Sequence, residues 1–591
     1  MGAGGDKSRS APLASSPDSV FPLLAQLVAP PLQNSPVRLP GPDAIERRPA
    51  PDRPAEPVPV ELETEPEGRP TPGPDVPPSG PGAPEPLPPG AVRLPGLPAV
   101  QGLSVYNATA LAAILEPCRT VQDPADRLQA CASALTARLV SDGYINSRVY
   151  VRDTPAAGFL EVVEGRVVEL RVNTANGRLR RRVERRLGSI VGEVLHLPSV
   201  EEQLQLIKRE PGVRNVRVNL SRLGSDPSQA VFTVSLEATS TPWQGEFSLG
   251  NDGSNGSGEY RAIGTVAKTN LATRGDTLLL YGEGSANNNP SLGALITSIS
   301  YTIPLADQWN FTGAFGYSRR NQIDLPPPAD GLSSSQYQGL GQVEWVFRET
   351  LRQRWSLFAG LSLDRGNTYL DGRSLPATVP ESVRSPRNGY GRLGIAANGL
   401  GNSLGWAGNI YLLQGIAAAT PELQRKELET VNLDPGRSSA VGGLISTAWA
   451  FAPGWQLNLR AGGQWAFYPL TNSMQFTLGS NAGLRGLPAQ FISGDSGWLG
   501  TGEVAWTLWQ RNLHTVQLVP FLGAGGIATR FPGLTLTDTV GAGGVFARWL
   551  VGEHWNLELG WVEQFSTNDN PGEWADGGLG RGLYSQLRFS F

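Results

Sequence analysis

The sequence predicts a 16-stranded antiparallel transmembrane β-barrel, preceded by two α/β domains and a disordered Pro-rich amino-terminal segment. The first observation behind this is periodic. From about Pro242 to Phe591 the chain falls into segments that alternate apolar and polar side chains, as strands do when one face meets lipid and the other a polar lumen. In GWQLNLRAGG, Trp455, Leu457, Leu459 and Ala461 share one face, and Gln456, Asn458 and Arg460 the other. Trp555, Leu557, Leu559 and Trp561 alternate in the same way with Asn556, Glu558 and Gly560. The second observation is compositional: 72 Gly, 15 Trp and only 17% charged residues, with 40% hydrophobic, suit strands that are apolar on one face only. The third is that no run approaches the roughly 18 consecutive apolar residues of a membrane helix. A net charge of -4 gives no case for nucleic acid as a partner.

Strand starts fall near Glu246, Tyr260, Thr277, Ala294, Trp309, Tyr337, Trp355, Tyr390, Leu404, Val441, Trp455, Trp498, Val516, Thr539, Trp555 and Leu583. If the first strand rises from the side of the α/β domains, the links on that side lie around Ala272, Ala306, Leu351, Gly401, Pro453, Asn512 and Gly552, and all are short. Several links on the other side, Asn321 to Ser335, Arg365 to Asn388 and Gln414 to Ser439, are long. Short turns at one end and long loops at the other are the rule for such barrels.

Ahead of the barrel (residues 241–591), the segment 1–98 is the expected linker. Pro30 to Pro98 holds about half of the 49 prolines, mixed with acidic residues and almost no aromatics, so it cannot bury enough apolar surface to fold and favours extended polyproline II. The first 30 residues make a poor export leader, which suggests that the true start lies upstream or that the signal is atypical. Ser19 to Val28 is apolar but interrupted by Pro22, so no helix plugging the barrel is predicted. Residues 99–173 then read as strand, helix, helix, strand, strand. Asn107 caps a helix carrying Leu111, Ile114 and Leu115; a second helix near Pro124 to Val140 places Leu128, Cys131, Leu135 and Leu139 on one face; GYINSRVYV and GFLEVVEGRVVELRV follow as strands. Residues 174–240 repeat the pattern with the basic helix GRLRRRVERRLG, a capping box at Ser199-x-x-Glu202, and strands in PGVRNVRVNLSRL and AVFTVSLEA.

Between the eleventh and twelfth barrel strands lies GSNAGLRGLPAQFISGDSGW, Gly479 to Trp498, too rich in Gly, Ser, Asn and Asp to be a membrane strand. Its glycines allow positive φ and a tight fold with one cation, Arg485, at the tip. Tucked into the lumen, Arg485 needs a carboxylate or carbonyl on the wall, which makes it a latch candidate; left in solvent it is an ordinary loop arginine. Glu503, in GWLGTGEVAWTLW, alternates opposite Val504 and Trp506 and so faces the lumen as the candidate wall partner.

The stretch Gly483, Leu484, Arg485, Gly486, Leu487 resembles the lid-loop motif of the outer-membrane polypeptide translocase and insertase superfamily, usually VRG followed by an aromatic. It fits best the two-partner-secretion branch, the TpsB-type transporters, where a GD-x-G-type segment follows, here Ser493 to Trp498. The resemblance implies that the arginine contacts acidic residues on the following strands, yet VPFLGAGGI carries Gly523 where an aspartate is expected. The α/β part carries the same resemblance. Gly143-Tyr144-Ile145-x-Ser147-Arg148, followed by Val163-Glu164-Gly165, is similar to the polypeptide-transport-associated (POTRA) domain of that branch. The resemblance thus implies POTRA 1 at 99–173 and POTRA 2 at 174–240, both periplasmic, receiving an unfolded client partly by strand addition at a sheet edge. YSQLRFSF, ending in Phe591, resembles the signal read by the outer-membrane barrel assembly machinery.

In an oxidising periplasm Cys118 and Cys131 are expected to form a disulfide; a redox switch or a metal site is the alternative, although no His lies near. The arginines from Arg178 to Arg186 form a solvated face, or else meet anionic lipid headgroups, an acidic client segment or the linker's own acids. The function implied is an outer-membrane pore exporting a separately encoded β-rich partner protein, with lid loop 479–498 gating the lumen. The alternative is an outer-membrane insertase of the same superfamily. The chain has no phosphate-binding GxxxxGK[ST] loop, and His196, His514 and His554 have no nucleophile motif beside them, so no enzyme, cofactor or metal is expected.

Overall fold

The computed structural model describes residues 60–62, 90–152, 158–208, 213–222, 228–238, 243–253, 256–273, 275–287, 291–323, 331–566 and 577–591. Most of the segment expected to be disordered, 1–98, and the apolar stretch Ser19–Val28 therefore lie outside the described residues. The described residues divide into an α/β unit and a barrel unit.

The α/β unit holds two modules. In the first, β2 (Ala99–Gln101) lies parallel to β4 (Phe159–Val163), which pairs antiparallel with β3 (Arg148–Arg152). Two helices cover this sheet. α1 (Ala108–Leu115) is capped by the Asn107 side chain, which accepts from Ala110 N at 2.9 Å. α2 (Pro124–Ser141) has Pro at its first position and Asp123 as its cap, accepting from Ala125 N and Asp126 N, each at 3.0 Å. Leu128, Cys131, Leu135 and Leu139 of α2 are buried with Val100, Leu111, Leu115 and Leu160. The Cys118–Cys131 disulfide, Cα–Cα 5.4 Å, ties the turn after α1 to α2.

The second module departs from the sequence reading at its boundary. GFLEVVEGRVVELRV is not one strand: it breaks at Glu164-Gly165, and β5 (Arg166–Asn173) leaves for the other sheet, pairing in parallel with β7 (Gln229–Ala238). Gly165 makes this break possible, because any Cβ there would sit 2.4 Å from Asn146. The second sheet runs β1-β6-β7-β5, with β6 at Val213–Arg222 and β1 at Val60–Leu62. Three residues of the expected linker thus form a strand, parallel to Val218–Leu220. They are a Pro-free tripeptide with apolar ends, the composition most compatible with a strand in that segment. α3 (Gly177–Leu187) turns Leu179, Val183 and Leu187 inward, and α4 (Leu197–Lys208) turns in Val200, Leu204 and Ile207. Ser199 lies inside the first turn of α4 rather than capping it, and its hydroxyl pairs with His196 Nδ1 at 2.8 Å.

The barrel closes from 16 antiparallel strands. They are β8 (Trp243–Gly250), β9 (Tyr260–Thr269), β10 (Thr277–Ala286), β11 (Leu292–Pro304), β12 (Trp309–Asn321), β13 (Leu332–Glu349) and β14 (Gln353–Leu370), whose tip pairs with β15 (Arg373–Ser374). Then follow β16 (Arg387–Leu400), β17 (Leu404–Gly415), β18 (Ser439–Ala452) and β19 (Trp455–Ala466). A long loop containing the short hairpin β20 (Phe476–Leu478) and β21 (Ile492–Gly494) leads to β22 (Ser496–Arg511), β23 (His514–Phe531), β24 (Leu534–Val551), β25 (Trp555–Ser566) and β26 (Leu583–Ser590). Two short helices, α5 (Glu381–Arg384) and α6 (Glu422–Glu429), sit in the long loops.

Alternation sets the sidedness of each strand. Trp455, Leu459 and Trp465 of β19 are 36%, 46% and 62% exposed, whereas the intervening Gln456, Asn458 and Arg460 are 8%, 2% and 3%. Aromatic pairs between strands, Trp309–Trp345 at 5.8 Å, Trp455–Trp506 at 5.1 Å and Trp555–Phe589 at 4.6 Å, form a girdle at the short-turn end. The closing pair is short. β26 and β8 share five paired positions, from Gln586↔Gly250 to Ser590↔Glu246, against eighteen for β23 and β24. Phe591 extends it by exchanging both backbone hydrogen bonds with Gly245 at 2.9 Å. At the other end Asn251 donates to Leu583 O at 2.6 Å and accepts from Ser585 N at 2.9 Å.

Candidate functional site

The loop between β19 and β22 folds into the barrel interior. Leu484 and Leu487 are fully buried, packed with Phe476 and Leu478 against Leu499, Val519, Phe521, Ala542, Phe546 and Val562 of the wall. Polar residues could not fill that position without unmade hydrogen bonds, so the leucines give the loop a stable seat. The turn that presents Arg485 needs two glycines. Gly483 has φ +97, and Gly486 has φ +77 with a hypothetical Cβ only 2.3 Å from Val562 Cγ1. Asp495, 1% exposed, ties the end of the loop to its beginning by accepting from Leu470 N at 3.0 Å and to wall strand β23 by accepting from Arg530 N at 2.8 Å.

Arg485 points into an acidic wall site. Its Nε donates to Glu503 and its Nη1 to Glu558 at 2.7 Å and Tyr584 OH at 3.0 Å. Its guanidinium lies 5.1 Å from the Phe546 ring centre, with Arg548 5.4 Å from the same centre. Arg548 in turn donates to Glu558 at 2.8 Å and stands 4.0 Å from Glu503. Two arginines and two glutamates thus neutralise one another, which removes most of the cost of holding four charges inside the barrel. Gln564 adds a hydrogen bond from its side chain to Gly486 O. A side chain at Gly523 would crowd the seated loop: a Cβ there would lie 3.0 Å from Leu484 Cδ2 and 3.0 Å from Thr501 Cγ2. The leucine at 484 occupies the space, and Glu558, two strands further on, supplies a second carboxylate.

A second set of contacts carries no local signal in the sequence. Ser480 Oγ donates to Asp252 at 2.6 Å, Arg261 Nη2 donates to Asn481 Oδ1 at 2.6 Å, and Ala489 N donates to Gly253 O at 3.1 Å. Arg261 is itself held by Glu283 at 3.0 Å and Asp252 at 3.4 Å. The loop is therefore fixed to β25 and β26 on one side of the closing pair and to the β8–β9 segment on the other.

The candidate residues of the α/β unit form a joint rather than a pocket. Gly143, φ +92, accepts at its carbonyl from Leu197 N at 2.9 Å, and Tyr144 lies 5.0 Å from the His196 ring. Gly165 accepts from Leu195 N at 2.9 Å and donates to the buried Ser147 Oγ at 3.4 Å. Arg148 donates to the carbonyls of Ile145 and Ser147, each at 3.0 Å. Glu164 anchors the entry to α1, accepting from Ser104 N at 2.5 Å, Ser104 Oγ at 2.6 Å and Val105 N at 3.1 Å. Phe591 lies over Gly245, within the girdle. Of the basic helix, Leu179, Val183 and Leu187 are buried while Arg180, Arg181 and Arg185 are exposed. Among the described residues no group of three or more His, Cys, Asp or Glu could hold a metal ion.

Comparison with known proteins agrees with this architecture. The chain is 26% identical over 401 residues to the outer membrane transporter CdiB of Dickeya dadantii (strain 3937), spanning 65% of this chain and 67% of that protein. Solved structures of CdiB from Escherichia coli (TM-score 0.56, 18% identity, 83% of this chain and 89% of that one) and from Acinetobacter baumannii (TM-score 0.52, 14% identity, 83% and 88%) share its fold. Residues 231–532, just over half of the chain, match the family described as haemolysin secretion/activation protein ShlB/FhaC/HecB. The chain belongs to that family, the TpsB-type transporters of the outer membrane, with its barrel in the membrane and POTRA-type domains in the periplasm.

Proposed function

We propose that this protein exports a separately encoded, β-rich partner across the outer membrane in an unfolded state, and that the lid loop, expected at 479–498 but ending at Asp495 because Ser496 to Trp498 already belong to wall strand β22, is the gate of its lumen. The observation that carries this reading is the double seat of the loop. Buried leucines fill the space beside the β22–β26 wall, while the tip is held by polar ties, the charged cluster around Arg485 and the Gln564–Gly486 hydrogen bond, that water or a passing chain can replace. Such a contact holds the loop shut and still releases it for a few kcal/mol, as a gate requires.

No nucleotide-driven step is needed. The client is captured by the α/β domains and crosses the open lumen, and its folding outside withdraws it from the equilibrium. β3 is an edge strand whose exposed Arg148, Tyr150 and Arg152 suit it to strand addition by an extended client. Phe591, at the end of the closing strand, is the feature presented to the barrel assembly machinery. Deleting the protein's gene tests the reading. Loss of one β-rich secreted protein, with other outer-membrane barrels assembling normally, supports export; a general loss of barrels supports the insertase alternative instead.

A further inference from the structure

We propose that the outer rim of strands β18, β19 and β23 is a binding site for a phosphorylated glycolipid headgroup of the outer leaflet, formed by Arg437, Arg530, Trp465 and Tyr468. The level of the site follows from strand geometry. Trp455 and Trp465 lie on the same outward face of β19, ten residues apart, and at about 3.3 Å per residue and a tilt of about 40° they are separated by about 25 Å along the membrane normal, the height of the apolar band. Trp455 belongs to the girdle at the short-turn, periplasmic end, stacked on Trp506. Trp465 therefore marks the opposite interface, and residues just beyond it stand among headgroups.

Two arginines flank that level. The Arg530 guanidinium lies 5.9 Å from the Trp465 ring centre and donates to Phe467 O at 3.1 Å, while its backbone is pinned by Asp495. The Arg437 guanidinium, exposed, lies 4.5 Å from the Tyr468 ring centre. Trp465, Phe467 and Tyr468 are themselves 62%, 51% and 42% exposed. The nearby carboxylates are Asp434, which faces Arg437, and Asp495, whose oxygens are engaged by backbone amides of Leu470 and Arg530. Each guanidinium is placed beside an aromatic ring at the rim, where a fork of N–H donors can meet a phosphate, and the neighbouring aromatic rings offer faces for a sugar. A zwitterionic phospholipid offers neither two phosphates nor a sugar.

The test uses the full chain purified in detergent, incubated with bisphosphorylated lipid A, dephosphorylated lipid A or phosphatidylglycerol, and examined by native mass spectrometry. The wild type is expected to retain bisphosphorylated lipid A, and Arg437→Ala/Arg530→Ala is expected to retain about tenfold less, the loss of two charge-assisted contacts. Inorganic phosphate at millimolar concentration is expected not to displace the lipid. Equal retention by wild type and variant, equal retention of the dephosphorylated form, equal retention of phosphatidylglycerol, or displacement by free phosphate would each overturn the assignment. The comparison of lipids on the wild type stands even if the double variant fails to fold, which a heat-modifiability gel would reveal.

Discussion

Replacing Arg485 with Ala separates a gate from a structural prop. The side chain touches both Glu503 and Glu558, and breaking a buried ion pair by removing one partner costs about 3–5 kcal/mol. Here Arg548 remains 2.8 Å from Glu558 and 4.0 Å from Glu503, and the Arg485 side chain is 17% exposed, so the seated loop should lose less, about 2–3 kcal/mol. That is roughly a 30- to 150-fold shift toward the released loop. A loop released about 0.1% of the time would then be released for several per cent of it. Single-channel recording in planar bilayers reads this directly as more frequent or longer openings. Arg485→Lys should fall between the two, because one ammonium cannot bridge both carboxylates as the guanidinium does. An open probability for Arg485→Ala within twofold of wild type, with the barrel correctly folded, would refute the latch.

Gly486→Ala should imitate Arg485→Ala in the same recordings, since it adds a Cβ 2.3 Å from Val562 at a φ of +77, a strain of about 1–3 kcal/mol. Replacing both Cys118 and Cys131, as Cys118→Ser/Cys131→Ala, should lower the thermal stability of the α/β unit by about 3 kcal/mol, as expected for a cross-link spanning 13 residues, and leave the barrel's heat-modifiability unchanged. In the turn before β10, burial alone would push the Asp276 carboxyl up, but the Tyr301 hydroxyl and the backbone amides of Thr273, Ala272 and Leu271 outweigh it and hold it below the usual range. A depressed carboxyl stabilises the fold above its unfolded pKa and ceases to as pH falls through the folded value. Asp276→Asn should therefore cost about 1–3 kcal/mol at pH 7, with its melting curve converging on that of the wild type as pH falls below about 4.

Much of the barrel is legible in the sequence because its two faces meet different solvents. Trp455 and Arg460 cannot exchange sides of β19 without placing a charge in lipid, so alternation alone locates the strand and its lumen face. The same logic names Glu503 beside Arg485. It does not name Glu558, which alternates just as clearly on β25, because choosing between lumen-facing carboxylates requires the stagger of the strands around the barrel. Asp252, Arg261 and Ser480 are hidden for the same reason: they meet only once the barrel closes and its last strand lies beside its first. The boundary within GFLEVVEGRVVELRV fails differently. Both halves have strand composition, and only the close approach of Gly165 to Asn146 reveals that the chain changes sheets there. The β20–β21 hairpin is likewise invisible in a Gly- and Ser-rich stretch whose pairing depends on the wall beneath it.

The central claim, that export requires the loop to leave its seat, is tested most directly by fastening it there. Ser480 and Asp252 are joined at 2.6 Å, and the native cysteines are already paired, so Ser480→Cys/Asp252→Cys introduces the only free thiols. Bridged by oxidation or a short bifunctional thiol reagent, the double variant should stop exporting its partner, and for the oxidised form reduction should restore export, while each single variant continues throughout. Unchanged export through a fully bridged loop would contradict the account.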